Sequence, residues 1–379
     1  MADIRGAPDE TRRRLALLCV GELGRERDLQ SVASLQTIIL ESFESGEEET
    51  KTAAACVVDA RARPRARRSR SHTRLCHSRR YALGLVAVGN MAAFLPAILD
   101  ALETNPRHQY LLLAALKEVI ACHTTEPSRH AGFGTYVGRV CDYLFPYADA
   151  ADEGVRNMVA ECLGALLTLH AAHVLPKLSK LAEATGEPGA LQKWTVATAL
   201  KCAMGGDAPV AEIGPSLGRF LALLKDDDLD VQRAALLMVN AAVHHQTALI
   251  VGLLPGDVLR TLFSKIEIKL ERVVDLGPFK HKVDDGLPLR KAALSCVNTI
   301  LENCPQQMDA AAFMPFIALG LADKVRRDIS VTARSSAPAA HPRPPLPSAG
   351  RRANVEPPDP RQAVQPRAGA GAQLARAAR

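Results

Sequence analysis

An all-α solenoid, a superhelix of antiparallel helix pairs with one short projecting β-hairpin, is the fold class this sequence predicts, and three observations predict it. The first is a recurring helical unit, clearest in DEGVRNMVAECLGAL from Asp152 to Leu166. There an acidic residue is followed by Arg156, and Val159, Ala160, Leu163, Ala165 and Leu166 then recur at helical spacing, which makes one face apolar. The second is the interval between copies. Placing the basic or amide residues Lys51, Gln109, Arg156, Lys193, Gln232 and Arg290 in register puts Leu113, Ala160, Ala197, Leu236 and Leu294 four positions later. Leu116, Leu163, Leu200, Val239 and Val297 stand seven positions later, on the same helix face. The third is composition: only 4% of the 379 residues are aromatic, and leucine and alanine fill the apolar positions, which lets stacked helices approach closely.

From Gln109 the register advances by 47, 37 and 39 positions, room for one helix pair per repeat, and self-similarity near 40 residues marks HEAT or armadillo arrays. In chain order, Met1 to Thr11 is polar without an apolar core, so no signal peptide is expected and the protein is placed inside the cell, in cytoplasm and nucleus. Thr11 is expected to cap a helix running to Gly24, so that the chain begins on the second helix of a repeat. Ser31 to Phe43 reads as the next first-helix. The apolar run Tyr81 to Leu99 contains Gly84, Gly89, Asn90 and Pro96, and the register places a turn at Gly89 and Asn90, so two short helices explain it better than a membrane span. Asn105 and Pro106 then offer an N-cap and a first-turn proline to a helix over His108–Cys122. Helices over Tyr136–Phe145, Asp149–Leu169, Val174–Ala184, Leu191–Met204, Leu217–Leu224 and Leu229–His244 continue the alternation.

The charge is unevenly placed. Of the net +6, Cys56 to Arg80 accounts for +8 with nine Arg and one acid, and Arg326 to Arg379 for +7 with ten Arg and three acids, which leaves the remainder about nine charges negative. Such a body attracts basic protein surfaces and repels phosphate backbones, so no nucleic-acid partner is expected. The two arginine-rich stretches hold no Lys and no aromatic residue to stack on bases, and they read as insertions foreign to the fold. Joining Ala55 to Tyr81 restores TKTAAAYALG, which matches VRNMVAECLG position for position, and the interval from Lys51 to Gln109 falls from 58 to 33. The expected organisation is a polar segment over 1–10, a solenoid over 11–325 interrupted by a disordered insert at 56–80, and a disordered Arg/Pro/Ala-rich tail over 326–379. Deleting Cys56–Arg80 is accordingly expected to raise the melting temperature, because it closes the backbone ladder of one helix. An unchanged or lower melting temperature in a thermal scan would count against that reading.

Little in the body carries chemistry. The nine cysteines form no CxxC pair and several fall on buried helical positions, as reduced core thiols do. His72, Cys76 and His77 match no strong zinc motif, and Gly132, Gly134 and Gly138 lack the strand that a dinucleotide loop follows. His281 with Asp284 and Asp285 is the one cluster an enzyme could use, yet no nucleophile stands beside it. No catalytic residue, metal site or cofactor is expected.

From Gln232 to Arg290 the register interval jumps to 58, so an extra element stands between two paired helices, in ERVVDLGPFKHKVDDGLPLRKAAL. Val273 and Val274 precede a turn at Gly277 and Pro278, and Phe279 to Val283 alternates Phe, Lys, His, Lys, Val as a short strand does. The reading is a β-hairpin at 272–286. The insertion cannot enter the interface of the two helices it joins, so it projects, and Leu276, Pro278 and Phe279 at its tip are poorly placed to fold back into a core. The candidate binding residues are therefore Leu276, Gly277, Pro278, Phe279, Lys280, His281 and Lys282, with the two lysines setting orientation and Asp284 and Asp285 capping the next helix.

The segments LALLCVGELG, YALGLVAVGN, RHQYLLLAALKEVI, GVRNMVAECLG and, above all, LGPFKHKVDDGLPLRKAAL closely resemble the C-terminal part of the cullin-associated, neddylation-dissociated HEAT-repeat family, also named for interaction with the TATA-binding protein. The resemblance covers roughly Leu15 to Lys324 without the insert, in a family whose members are several times longer. It implies a non-enzymatic scaffold in the ubiquitin pathway. Such proteins wrap unneddylated cullins and exchange the substrate-receptor modules of SCF-type and other cullin–RING ligases. It also implies that these repeats meet the cullin N-terminal domain in competition with the adaptor, the hairpin occupying part of the adaptor site. A monomer is expected, and no membrane partner. A general HEAT scaffold for transport or phosphatase assembly is the alternative, and it would not need the GPFKHKVDD segment.

Overall fold

A computed structural model describes residues 10–32, 34–44, 82–125, 127–206, 208–276, 279–309, 311, 313–316 and 318, with the backbone alone at 10, 82, 125, 127–131, 187 and between 274 and 282. The predicted insert at 56–80, His72, Cys76, His77, Lys51 and the tail at 326–379 lie outside the described residues. The chain divides into a unit spanning Met1–Ser336 and a second, Ala337–Arg379.

The first unit is helical, in the order α1 (Glu10–Glu26), α2 (Leu35–Glu41), α3 (Ala82–Gly89), α4 (Met91–Thr104), α5 (Gln109–Thr125), α6 (Val137–Leu144), α7 (Glu153–Leu169), α8 (Ala171–Ala182) and α9 (Glu187–Met204). It continues with α10 (Val210–Ile213), α11 (Leu217–Leu221), α12 (Leu229–His245), α13 (Thr247–Ile250), α14 (Leu259–Glu267), the strands β1 (Glu271–Leu276) and β2 (Phe279–Asp284), and α15 (Leu287–Asn303). Helices α1, α3, α5, α7, α9, α12 and α15 form one layer in which each packs on the next, and α2, α4, α6, α8, α11 and α14 form a second layer, each against the layer-one helix that follows it. These are the antiparallel pairs that the spacing predicts.

Four of the register residues tie their helices to neighbouring connections. Arg156 Nη1 donates to the Ala150 carbonyl at 2.6 Å, Gln232 Nε2 to the Asp226 carbonyl, and Arg290 Nη1 to the Ile268 carbonyl at 2.7 Å. All three reach back to the connection before their own helix and satisfy a carbonyl left open there. Lys193 instead reaches forward to Asp226 Oδ2 at 2.8 Å, so one loop is tied to the helix on either side of it. The Arg156 guanidinium also lies over the ring of Trp194, 4.9 Å from its centroid, using the chain's single tryptophan to join α7 to α9. Leu113, Leu116, Ala160, Leu163, Ala197, Leu200, Leu236, Val239 and Val297 are buried as their spacing predicts, whereas Leu294 is half-buried.

Element ends differ from expectation where a local cap or turn intervenes. Helix α1 starts at Glu10 with Thr11 inside it rather than capping it. Helix α2 is shorter than Ser31–Phe43, because Ser34 takes φ 61° and breaks helical backbone before Leu35, and a 3-10 turn over Ser42–Glu44 closes it. The Asn105 side chain makes no cap bond and donates to Thr104 Oγ1, so a 3-10 turn over Pro106–His108 leads into α5. The turn at Gly89 and Asn90 is found: Asn90 Oδ1 accepts from the Ala93 N–H at 3.1 Å and starts α4. The acidic residue opening the repeat unit is likewise a cap, Asp152 Oδ1 accepting from the Val155 N–H at 2.8 Å. Among the described residues Thr247–Glu267 is the one stretch apolar and long enough to cross a membrane, but it is not one helix. Pro255 at ψ 136° and Gly256 at φ 94° leave helical backbone in its middle.

Candidate functional site

The two strands pair antiparallel with each other and with no other described strand. Their register opposes Glu271 to Asp284, Arg272 to Val283, Val273 to Lys282, Val274 to His281, Asp275 to Lys280 and Leu276 to Phe279. The hairpin runs one residue earlier at its start than expected and ends at Asp284 rather than at Gly286, because Gly286 already stands at the start of α15. Of the candidate binding residues, Gly277 and Pro278 lie outside the described residues; Leu276 and Phe279 face each other across the last pair before them.

Strand alternation sorts the hairpin into two unlike faces. Arg272, Val274, Leu276, Phe279, His281 and Val283 share one, and Glu271, Val273, Asp275, Lys280, Lys282 and Asp284 share the other. The first holds both apolar tip residues, and the second sets Lys280 against Asp275. By backbone register His281 and Asp284 stand on opposite faces of the ladder. Both carboxylates have other work.

That work is to clamp the base. Asp284 Oδ1 accepts from the Leu270 N–H at 3.1 Å and from the Gly286 N–H at 3.0 Å, and Asp284 Oδ2 pairs with Arg290 Nη1 at 2.7 Å. One side chain thus holds the approach to β1, the exit from β2 and the first turn of α15. Asp285 pairs with Arg272 at the rim, and its N–H donates to the Leu270 carbonyl at 3.0 Å. The expected helix cap is corrected accordingly: neither aspartate is the N-cap, a place Gly286 takes, and Asp284 acts as a clamp. Arg290 is only 3% exposed, so the pair is screened little by water. Burial acts to raise the Asp284 carboxyl, but the bonds from Arg290, Leu270 and Gly286 outweigh it and hold the group below the ordinary carboxylate value. Sequence reasoning missed Arg290 here; its place in the repeat register was the available signal.

Elsewhere the described residues place the other sequence candidates apart from one another. No group of three metal-ligating side chains occurs among them. Gly132 and Gly134 lie on a 3-10 turn over Pro127–Tyr136, after a helix and not a strand. His244 and His245 end α12 in solvent, ring against ring. Burial pushes the Cys141 thiol up to about 11 and Cys162 to about 12, and Cys296 is raised too, so these are protonated core groups.

The chain is similar to known proteins over most of its length. Residues 249–336 match the family described as TATA-binding protein interacting (TIP20), a span that contains the hairpin and its clamp. A protein of Arabidopsis thaliana named cullin-associated NEDD8-dissociated protein 1 is 38% identical over 320 residues, 83% of this chain and 24% of the relative. Its namesake in Drosophila melanogaster is 36% identical over 311 residues, 81% of this chain and 23% of the relative. In Emericella nidulans a protein named as the C-terminal part of cullin-associated NEDD8-dissociated protein 1 is 34% identical over 58% of this chain. The chain spans about a quarter of the length of these relatives. Among solved structures, a crystal structure of importin beta superposes with a TM-score of 0.51 at 12% identity, covering 87% of this chain and 40% of that one, a likeness of fold alone.

Proposed function

Since the chain belongs to the cullin-associated NEDD8-dissociated family, as a counterpart of its C-terminal part, we propose that it is a non-enzymatic scaffold that binds the N-terminal domain of a cullin in competition with the adaptor. Through that contact it regulates adaptor and substrate-receptor exchange in cullin–RING ubiquitin ligases. The observation that carries this reading is the hairpin: a two-faced element with Leu276 and Phe279 paired at its outer end, held at its base by the Asp284–Arg290 clamp. Apolar and aromatic residues presented at a fixed place are what a binding hot spot requires, and the clamp fixes the base from which these strands leave. Leu276, Pro278 and Phe279 are assigned as anchors, with Lys280 and Lys282, on the opposite face from Phe279, setting orientation through charge. The net acidity of the body outside the two arginine-rich stretches favours a protein partner over nucleic acid. Cytoplasm and nucleus, where thiols stay reduced, are the proposed setting.

The test is binding of purified cullin N-terminal domain to the full chain, to Phe279→Ala and to a chain lacking 272–286, with adaptor as competitor. Loss of an anchor is expected to weaken binding by about tenfold or more. If all three bind alike and displace adaptor alike, the hairpin is only a connection. A partner bound undiminished by the hairpin-deleted chain would point to a general HEAT scaffold.

A further inference from the structure

Three long helices of the first layer, α7, α9 and α12, line a cavity of about 430 Å3 whose polar groups are largely unused. Asn157, Trp194, Thr198, Lys201 and Arg233 border it, and none of these side chains has a hydrogen-bond or ion-pair partner among the described residues. Thr198 is the sharpest case, because it is only 5% exposed. A threonine inside a helix ordinarily bonds back to its own turn, as Thr195 does to the Leu191 carbonyl at 3.0 Å, and Thr198 makes no such bond. Burying a hydroxyl without a partner is unfavourable, and this one borders the cavity.

The repeat register orders these groups along the helices. Counted from Arg156, Lys193 and Gln232, the cavity residues Glu153 and Asp230 stand three and two positions before, and Asn157, Trp194 and Arg233 one after. Thr198 stands five after and Lys201 eight. Near-equal counts are level across the layer, since the Arg156 guanidinium lies over Trp194 and Gly164 abuts Ala199 and Cys202. The cavity is thus a trough with carboxylates at one end, Asn157, Trp194 and Arg233 across its middle, and a hydroxyl and an ammonium at the other end. We propose that it binds a short extended segment of a partner protein, with a basic side chain toward Glu153 and Asp230 and an acidic side chain toward Thr198 and Lys201. A segment of one sign would set like charge against one end, so the charges select an occupant that carries both. Glu153 and Lys201 are eleven positions apart in register, about 16 Å at 1.5 Å per residue, the length of about five extended residues. Midway, the Asn157 amide can both donate to and accept from a peptide backbone, and the Arg233 guanidinium can donate to its carbonyls. The inference rests on α7, α9 and α12 and is independent of the hairpin.

Because Trp194 is the chain's single tryptophan, its fluorescence reads the trough directly. The probes are capped pentapeptides with arginine at one end, aspartate at the other and alanine, leucine or serine between, made in both chain directions and titrated into the full chain. A saturable change in emission is expected for at least one direction, and none for peptides with arginine at both ends or aspartate at both ends. Lys201→Glu should weaken binding of the mixed-charge peptide about tenfold or more and gain binding of the peptide with arginine at both ends. Thr198→Val should also weaken binding while leaving the melting temperature unchanged or higher, because it removes an unpaired buried hydroxyl; a purely structural residue would not show that split. Far-ultraviolet dichroism shows that each variant folds. No saturable change up to millimolar peptide, an equal response to the aspartate-only peptide or to inorganic phosphate, or binding indifferent to Lys201→Glu overturns the proposal.

Discussion

A Gly164→Ala protein melts several degrees below the original, although alanine in a helix interior ordinarily stabilises by about 1 kcal/mol over glycine. The reversal comes from tertiary contact. A Cβ at Gly164 would stand 2.6 Å from the Ala199 carbonyl oxygen and 2.8 Å from Cys202 Cβ, both on α9. The carbonyl is backbone in mid-helix and cannot rotate away, so α7 and α9 must separate along their whole contact. Overpacking of this kind costs about 1–3 kcal/mol, and in a solenoid it falls on a nearest-neighbour interface that no other contact replaces. Gly84 meets the same fate in α3, its Cβ 2.6 Å from the Ala115 carbonyl oxygen of α5. Gly138→Ala is the control: nothing lies within 4 Å of its Cβ, so that substitution should leave stability unchanged or raise it. Thermal scans of the three variants decide the matter, and an unchanged melting temperature for Gly164→Ala would show that the helices can give way cheaply.

The second large effect is at the hairpin base. Asp284→Ala removes the acceptor of two backbone N–H groups and leaves Arg290, 3% exposed, without its carboxylate. Breaking a buried pair from one side destabilises by roughly 3 kcal/mol, much more than the pair's net worth. Asp284→Asn should fall between, since an amide oxygen still accepts from Leu270 or Gly286 but carries no charge. Replacing both partners, as in Asp284→Ala/Arg290→Met, should recover part of the loss; additive losses across that cycle would mean that the two side chains are not coupled. The sign with pH follows from the lowered Asp284 carboxyl. Its contribution is complete above the ordinary carboxylate value of about 3.9 and is lost as pH falls through the lower native value. The intact chain should therefore lose stability on acidification where Asp284→Asn loses less, which paired acid titrations followed by dichroism would read.

Much of the fold was legible because helix periodicity is local. Val159, Ala160, Leu163 and Leu166 announce a buried face by spacing alone, and the interval of 58 between Gln232 and Arg290 announces an inserted element before its shape is known. The strand pattern of Phe279 to Val283 was readable for the same reason, since alternation is a two-residue property. Helix ends were read less well. Thr11 and Asn105 are residue types that cap, but whether a side chain caps depends on the dihedrals of its own residue and on competing partners such as Thr104 Oγ1.

The amino-acid pattern by itself determined the architecture: paired helices at a near-40-residue interval, their buried faces, and a hairpin between α14 and α15. These follow from nearest-neighbour stereochemistry and apolar spacing, which any window of the chain carries within itself. Tertiary structure alone decided what the described register residues do, why Gly84 and Gly164 admit no side chain, and that Asp284 clamps the hairpin base instead of capping α15. It also decided that Leu15, Cys19 and Leu23 stay outside while Leu17 goes in, although all four lie on one apolar helix. Each of these depends on which distant segment arrives against a given face, and that is a property of the stacked helices together rather than of any one of them.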